Sequence, residues 1–455
     1  MDPDPIQTLR IEGIGSGGEG VGRLEDGRVV FVHRAAPGDE VRVELTRVKP
    51  RWARGRLVEV MEASPERRTP PCPFQSRCGS CPLEHLEYEA QLRAKRTMVV
   101  DALERIGGLE TLPPVEVHPS PREFRYRNRV TFHLRRLRAG RVVAGFHELE
   151  RPGRIVDVDG GCLLPEEPIA RCWDELRELW GPRANRLPPG GSLRLTLRAT
   201  SDGQVLLLVD GPGRKENPEG SQAPRSKVDL EAMKEGAAEL VDRLPALAAV
   251  WWQDEVEGGP VLLAGVEPVE EQWLGESYSI RPGAFLQVNR EGAEILHDLV
   301  LRELGAPRGR RVVDAYCGAG VYGRRMARHG GLAVGIEADP GAAAMARQRA
   351  PDGFTVLEGL VEDRLPEALP ADLVVLNPPR TGVAPEVAEA LAASAPQRIV
   401  YVSCDAATLA RDLVRLGSRY APTRIQLVDL FPQTAHVETV LTLDLRQETD
   451  SPARD

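Results

Sequence analysis

Val400-Tyr401-Val402-Ser403-Cys404-Asp405 is an apolar run that reads as a buried strand ending on a thiol, and residues 406–416 behind it read as a helix. Upstream lie a glycine-rich loop, Cys317-Gly318-Ala319-Gly320-Val321-Tyr322-Gly323, and the tetrapeptide Asn377-Pro378-Pro379-Arg380. Strand-like runs at 312–315, 334–337, 373–376 and 399–402 alternate with helical stretches from residue 291 onward. That texture predicts a doubly wound, Rossmann-like α/β sheet over 291–446. Ligands of such sheets bind outside the carboxyl ends of the strands, where Gly318, Asn377 and Cys404 fall. A cysteine at a strand end is commonly a small buried hydrophobe, so its position makes Cys404 a candidate nucleophile. The helix N-terminus behind it should favour the thiolate.

Residues 6–62 alternate apolar and polar positions between glycine turns, as in Val29-Val30-Phe31-Val32 and Val41-Arg42-Val43-Glu44-Leu45. This spacing predicts a small β-barrel, taken as a domain over 1–64. A proline-rich break over 65–73, an amphipathic helix over 86–106 and strand-like runs at 192–199, 205–209 and 248–253 define a β-rich central domain over 65–290. Residues 211–227, polar and rich in glycine and proline, are expected to form an exposed flexible loop, and 447–455 a disordered tail. Two further strand candidates cover 425–430 and 436–443.

The chain has 455 residues, a formal net charge of −9 and 42% hydrophobic content, ordinary for globular protein. No apolar run reaches the ~18 residues a membrane helix needs, so a cytoplasmic protein with no membrane partner is expected. The negative total argues against nucleic-acid binding by bulk charge, but the distribution is uneven. Arg122, Arg125, Arg127, Arg129, Arg135, Arg136, Arg138 and Arg141 are opposed only by Glu123, and Arg42, Arg47, Lys49, Arg51, Arg54 and Arg56 form a second basic run. Guanidinium suits bidentate phosphate contact, although base composition of the genome explains an arginine bias equally well.

Seven cysteines, an odd number, fit metal ligation and a free thiol better than a disulfide framework. Cys72, Cys78 and Cys81 are clustered and Cys162 comes much later. Such a set can close around an iron-sulfur cluster or a tetrahedral zinc, with the spacing favouring the cluster. The loop at Gly318 and Gly320, with Glu337 ending the next strand, contains the dinucleotide fingerprint, which S-adenosylmethionine sites share and an ordinary tight turn imitates. The two prolines after Asn377 fix the backbone and leave its amide for a flat polar group such as a base edge. Glu438, on the last strand, could serve a thiol as base, but glutamate on a strand is more often solvated surface.

Taken together these residues resemble the RNA uridine-5 methyltransferase family, in its 23S ribosomal RNA branch with an amino-terminal TRAM domain. Gly18-Glu19-Gly20-Val21-Gly22 through Pro37-Gly38-Asp39 looks like TRAM, an OB-like RNA-binding barrel. Tyr126-Arg127-Asn128-Arg129, Ile155-Val156-Asp157 and Phe285-Leu286-Gln287-Val288-Asn289 resemble central-domain segments of the family. The stretches from Val402 to Asp412 and from Phe431 to Glu438 resemble its nucleophile and general-base motifs. The resemblance implies a cytoplasmic, monomeric enzyme that uses S-adenosylmethionine to methylate carbon 5 of a uridine in RNA. Cys404 would be the nucleophile and Glu438 the base. Gln287, Tyr316, Gly318, Gly320, Glu337 and Asn377 would line the cofactor site, and Cys72, Cys78, Cys81 and Cys162 would hold a 4Fe-4S cluster. Three positions depart from the family pattern: Asn377, usually Asp; Asp405, usually Asn; and Leu360, usually polar. Transfer RNA as substrate, an NAD-linked iron-sulfur oxidoreductase and a non-catalytic RNA-binding assembly factor remain as alternative readings.

Overall fold

The computed structural model describes residues 6–211, 230–253, 259–267, 269–281 and 283–446. The expected loop near 211–227 lies outside the described residues from 212 onward, as does the tail over 447–455. The chain divides into two compact units, one of residues 1–69, 82–123 and 291–455, the other of residues 70–81 and 124–290.

The first unit begins with β1 (Ile6–Ile14), β2 (Gly20–Arg23), β3 (Val29–Val32), β4 (Glu40–Val48) and β5 (Trp52–Glu62), closed as a barrel in the order β1-β2-β3-β5-β4. Alternate residues Val30, Val32, Val41 and Val43 fill its interior with Leu9 and Ile11. The glycines of the sequence motif allow close strand approach: a Cβ on Gly20 would lie 2.5 Å from the Ala35 carbonyl oxygen, and one on Gly22 2.6 Å from that of Arg10. Asp39, fully buried, ties the barrel to the chain that leaves it. Its carboxylate accepts from the N–H groups of Ala36 (2.6 Å) and Ser64 (2.9 Å) and from Arg67 Nε (2.9 Å). After the barrel come α1 (Tyr88–Arg105) and β6 (Val115–His118).

The second unit holds β7 (Arg129–Arg136), β8 (Val142–His147), β9 (Ile155–Asp157), α2 (Glu167–Leu179), β10 (Ser192–Ala199), β11 (Val205–Asp210), α3 (Leu230–Arg243), β12 (Leu247–Gln253) and β13 (Val261–Gly265). Its sheet runs β13-β12-β11-β10-β7-β8-β9. One core, centred on Phe132 stacked 3.9 Å from Trp173, lies between the sheet and its helices. A separate hairpin pairs β14 (Val269–Trp273) with β15 (Glu276–Ile280).

The chain then returns to the first unit through α4 (Arg290–Leu304), β16 (Arg311–Ala315), α5 (Val321–Arg328), β17 (Leu332–Glu337), α6 (Pro340–Arg347), β18 (Phe354–Glu358), α7 (Val361–Ala368), β19 (Leu373–Leu376), α8 (Pro385–Ser394), β20 (Arg398–Ser403), α9 (Ala406–Leu416), β21 (Tyr420–Val428) and β22 (Glu438–Leu445). The sheet order is β18-β17-β16-β19-β20-β22-β21-β6; the first five strands are parallel and β22 is antiparallel to both neighbours. This is the doubly wound sheet expected from the pattern, with an added edge: β6 pairs in parallel with β21, Val117 opposite Leu427. The linear division expected from sequence assigned β6 and α1 to the central domain, yet both pack in the unit that carries this sheet. A strand of four residues whose partner lies some three hundred positions away leaves no local signal of its pairing.

Asp39→Ala would strand the Arg67 guanidinium and two backbone N–H groups, and should cost about 3 kcal/mol in urea unfolding of the full chain. A change below 0.5 kcal/mol would show that the Asp39 cluster does not hold the barrel to the following segment.

Candidate active site

Strand alternation builds the site. Val312, Ala333, Leu373, Val375, Val400, Val402 and Val440 enter one apolar cluster with α4 and α5, while Val313, Ile336, Val374, Leu376, Tyr401 and Leu441 enter the cluster on the opposite face. Counting two residues on along each parallel strand puts Asp314, Glu337, Asn377 and Cys404 on the first face, at the carboxyl ends. β22 runs the other way and begins with Glu438 on that same face. Ser403 pairs with Thr439, so one further step of the ladder sets Cys404 against Glu438.

The glycine loop after β16 forms a cradle. Tyr316, Gly318 and Gly320 all take left-handed φ values of 62°, 55° and 75°, and a Cβ on Gly320 would lie 2.9 Å from the Phe354 ring. Glu337 binds the loop directly: its Oε2 accepts from Gly318 N–H and its Oε1 from Asp339 N–H, each at 2.8 Å. Leu360, N-terminal to α7, is 52% exposed and supplies no side-chain cap, so it offers an apolar surface where a polar residue was expected from the family. Asn377 is half-buried, and its N–H donates to the Ala315 carbonyl at 3.4 Å.

Cys404 is half-buried, and its thiol pKa is pushed above the ordinary value. Burial is the main cause; the carboxylates of Glu438 and Asp405 add to it, while Arg380 opposes it. Desolvation and two neighbouring acids thus act against the thiolate that the helix N-terminus was expected to favour. Asp405 still caps α9, its Oδ1 accepting from Thr408 N–H at 2.8 Å, so the departure at this position keeps the cap and adds a charge. Glu438 is buried, not solvated surface, and burial pushes its pKa up to about 7 against the pull of Arg380. Arg380 thus acts on both groups. The sequence reading passed over it, although it ends the quoted tetrapeptide.

The loop that carries Arg380 is pinned by α9. Fully buried Asp412 accepts from Tyr401 Oη (2.7 Å) and from Val383 N–H (2.9 Å), and Thr408 Oγ1 donates to the Arg380 carbonyl (3.1 Å). Gly382, at φ 76°, leaves no room for a Cβ, which would lie 2.1 Å from Asp412 Oδ2.

The approach to Glu438 is held from α1. Lys95 Nζ donates to Asp429 Oδ1 (2.6 Å) and to the Phe431 carbonyl (3.1 Å), with both charged groups buried. Gln433, buried at φ 70°, has its N–H bound to Gln91 Oε1 (2.9 Å) and its Oε1 bound by Gln91 Nε2 (2.8 Å) and Arg68 (2.9 Å). Gln91, Lys95 and Asp429 escaped the sequence reading, because a polar residue on a helix normally faces water.

The other predicted site residues lie in the second unit. Gln287 follows the β14–β15 hairpin, and its carbonyl accepts from Asn128 Nδ2 at 3.0 Å. Cys72, Cys78, Cys81 and Cys162 are half-buried free thiols. Burial pushes Cys162 up to about 12, and Cys72 and Cys78 lie near enough to raise it further. Cys81 and Cys162 in turn both act on Arg127, so all four face one region. Among the described residues no three His, Cys, Asp or Glu side chains lie close enough to hold a single metal ion. Much of the arginine run is spent inside the fold, contrary to the expected phosphate grip. Arg125 donates to the Cys162 carbonyl (2.8 Å), Arg127 is largely desolvated, and Arg136 bonds the carbonyls of Arg183 (2.9 Å), Ala184 (2.8 Å) and Pro188 (2.9 Å). Arg138 and Arg141 remain exposed.

A parallel sheet with a glycine cradle, an acid bound to it and a thiol at the strand ends defines a Rossmann-type ligand site. Comparison with known proteins agrees. Residues 6–58 match the family described as TRAM domain, and residues 334–446 match tRNA (Uracil-5-)-methyltransferase. An "uncharacterized RNA methyltransferase" of Gloeobacter violaceus is 38% identical, covering 96% of each chain. One of the same description from Halalkalibacterium halodurans is 30% identical, covering 98% of each. The crystal structure of Pyrococcus abyssi tRNA (uracil-54, C5)-methyltransferase in complex with S-adenosyl-L-homocysteine is similar with a TM-score of 0.70 and 27% identity, covering 96% of this chain and 100% of that one. The chain belongs to the RNA uracil-5-methyltransferase family, with a TRAM domain at its amino-terminal end.

Lys95→Met leaves Asp429 charged and buried, and should destabilise the chain by roughly 3–5 kcal/mol in urea unfolding. Adding Asp429→Asn removes the stranded charge and should return part of that loss; a double variant no more stable than the single one would count against the ion pair as the cause.

Proposed function

We propose that this enzyme methylates carbon 5 of a uridine in RNA from S-adenosylmethionine, through a covalent adduct between Cys404 and the uracil. The observation that carries the reading is the ladder register that sets the Cys404 thiol against the buried, proton-accepting Glu438 on one sheet face. S-adenosylmethionine as methyl donor is supported by the S-adenosyl-L-homocysteine bound in the Pyrococcus abyssi relative and by the cradle of Tyr316, Gly318 and Gly320. Glu337 keeps lone pairs free for ribose hydroxyls beyond the two backbone N–H groups it accepts. Asn377, in the same unit, completes this set as a polar group for the base.

In the proposed reaction the Cys404 sulfur bonds to carbon 6 of the uracil, and carbon 5 takes the methyl group from the sulfonium, which leaves as a neutral thioether. Glu438 removes the carbon 5 proton, the carbon–sulfur bond breaks, and the double bond of the base returns. Arg380 is the cation that favours both the thiolate and the ionised base. The target nucleotide must leave its stack to reach both groups. Two RNA contacts are proposed: the barrel, where Lys49 and Arg51 are exposed, and, in the second unit, the connection between β7 and β8, where Arg138 and Arg141 are. Ribosomal RNA of the large subunit is the preferred substrate; transfer RNA is the second reading, favoured by the activity in the name of the Pyrococcus abyssi relative.

Cys404→Ala should transfer no methyl group and form no adduct with unmodified 23S ribosomal RNA. Glu438→Gln should methylate once and then stall, accumulating a denaturation-resistant protein–RNA complex. An adduct with the alanine variant would assign the nucleophile elsewhere. Transfer to unmodified transfer RNA alone would decide for the second reading.

Cys72, Cys78, Cys81 and Cys162 are proposed to hold a 4Fe-4S cluster, which sets its thiolates wider apart than a single ion does. Their mutual electrostatic influence around Arg127 supports that set. When bound, such a cluster would cross-link the 70–81 loop to the segment after β9. Protein purified without oxygen should be brown and carry iron and sulfide; stoichiometric zinc without iron would overturn the assignment.

A further inference from the structure

Phe31 and Trp52 are the aromatic residues of the barrel segment 6–62, and both lie outside its core. On β3 the fully buried Val30 and Val32 point inward, so Phe31 between them faces outward. On β5 the buried Ala53 turns Trp52 and Arg54 outward in the same way. The register of β3 with β5 sets Val29 against Trp52 and Phe31 against Arg54. The two rings meet edge to face with centroids 6.4 Å apart, and the Arg47 guanidinium lies 5.4 Å from the centre of the Trp52 ring. They form a half-buried aromatic step on the outer wall of the barrel, beside the β4–β5 turn that Lys49 N–H closes by donating to the Trp52 carbonyl at 2.8 Å. Charge around this step is uneven. Arg23, Arg42, Arg54 and Arg56 are paired with Glu12, Glu59, Glu19 and Glu44. Arg47, Lys49 and Arg51 are exposed and enter no ion pair among the described residues. Three uncompensated cations therefore stand beside the aromatic step.

We infer that Trp52 is a stacking platform for an unpaired base of the RNA, with Arg47, Lys49 and Arg51 taking the phosphates on either side of that base. This rests on the reading of the barrel as an RNA contact. Every base has a π-face, so an indole beside a row of cations holds a single strand with little regard to sequence. Arg47 suits both parts of the contact, since a guanidinium stacks on an aromatic face and also binds phosphate through two parallel N–H groups. The ring adds a selection that the cations lack. In a duplex the base faces are covered by their neighbours, and the helix offers phosphates, hydroxyls and base edges, which the cations accept as readily as those of a single strand. The uridine to be methylated must itself leave its stack, so a platform for unpaired bases selects the class of RNA that the reaction needs.

The test is binding of the full chain to a single-stranded RNA and to the blunt duplex of the same sequence, each titrated over a range of salt. Trp52→Leu keeps an apolar side chain and loses the ring; it should bind the single strand about tenfold more weakly, with duplex affinity and salt slope unchanged. Trp52→Phe should keep most of the affinity. Lys49→Gln combined with Arg51→Gln should weaken binding of both forms, and should make the log–log salt slope for the single strand shallower by about 1.4. Single-strand affinity that survives in Trp52→Leu overturns the inference, as does an equal loss on the duplex or a loss that Trp52→Phe shares in full. RNA affinity and salt slope that are unchanged in the Lys49 and Arg51 double variant overturn instead the reading of the barrel as an RNA contact, and leave its cations to an acidic protein surface.

Discussion

Antiparallel hydrogen bonding between β20 and β22 decides which residue stands opposite Cys404, and most of the site depends on that choice. In a strand the side chains alternate faces, so a slip of one residue would turn Glu438 to the face of Val313 and Leu441 and bring Val437 or Thr439 to the thiol. Register this strict is enforced by the core on both faces, where Val440 and Leu441 enter different clusters. It is also enforced from the loop before β22, where Lys95, Asp429, Gln91 and Gln433 are bonded without access to water. Polar groups buried this way tolerate no alternative arrangement, because every shift strands a donor or an acceptor.

Desolvation then sets the chemistry of the pair. Burial raises the affinity of Glu438 for a proton, lifting its pKa to about 7, and desolvation likewise raises that of the Cys404 thiol. Arg380 opposes both effects from a loop that Asp412 and Gly382 hold in place. The departures from the family pattern look milder in this setting. Asp405 performs the capping that a helix N-terminus needs, and Leu360 lies exposed beside the cradle and not in the core.

Much of the site was legible in the sequence, for a local reason in each case. The glycine loop, the prolines after Asn377 and the strand ending on Cys404 are each encoded within a few consecutive residues, and backbone sterics tie such patterns to one conformation. The barrel was legible because period-two alternation between glycine turns has few other solutions. The arginine run misled for the opposite reason. A guanidinium reads the same in sequence whether it faces phosphate or, as with Arg136, closes a loop by bonding its carbonyls.

By itself the sequence determined the element types, the alternation within each strand and the chemical groups at the strand ends, since these follow from neighbours a few positions apart. Only the tertiary structure decided that β6 joins the far edge of the sheet, that Lys95 of α1 neutralises Asp429, and that Glu438 is buried opposite Cys404. Those outcomes join residues 34 to more than 300 positions apart. They are selected by burial and by the need to pair every buried polar group, conditions that exist only once the whole core has formed.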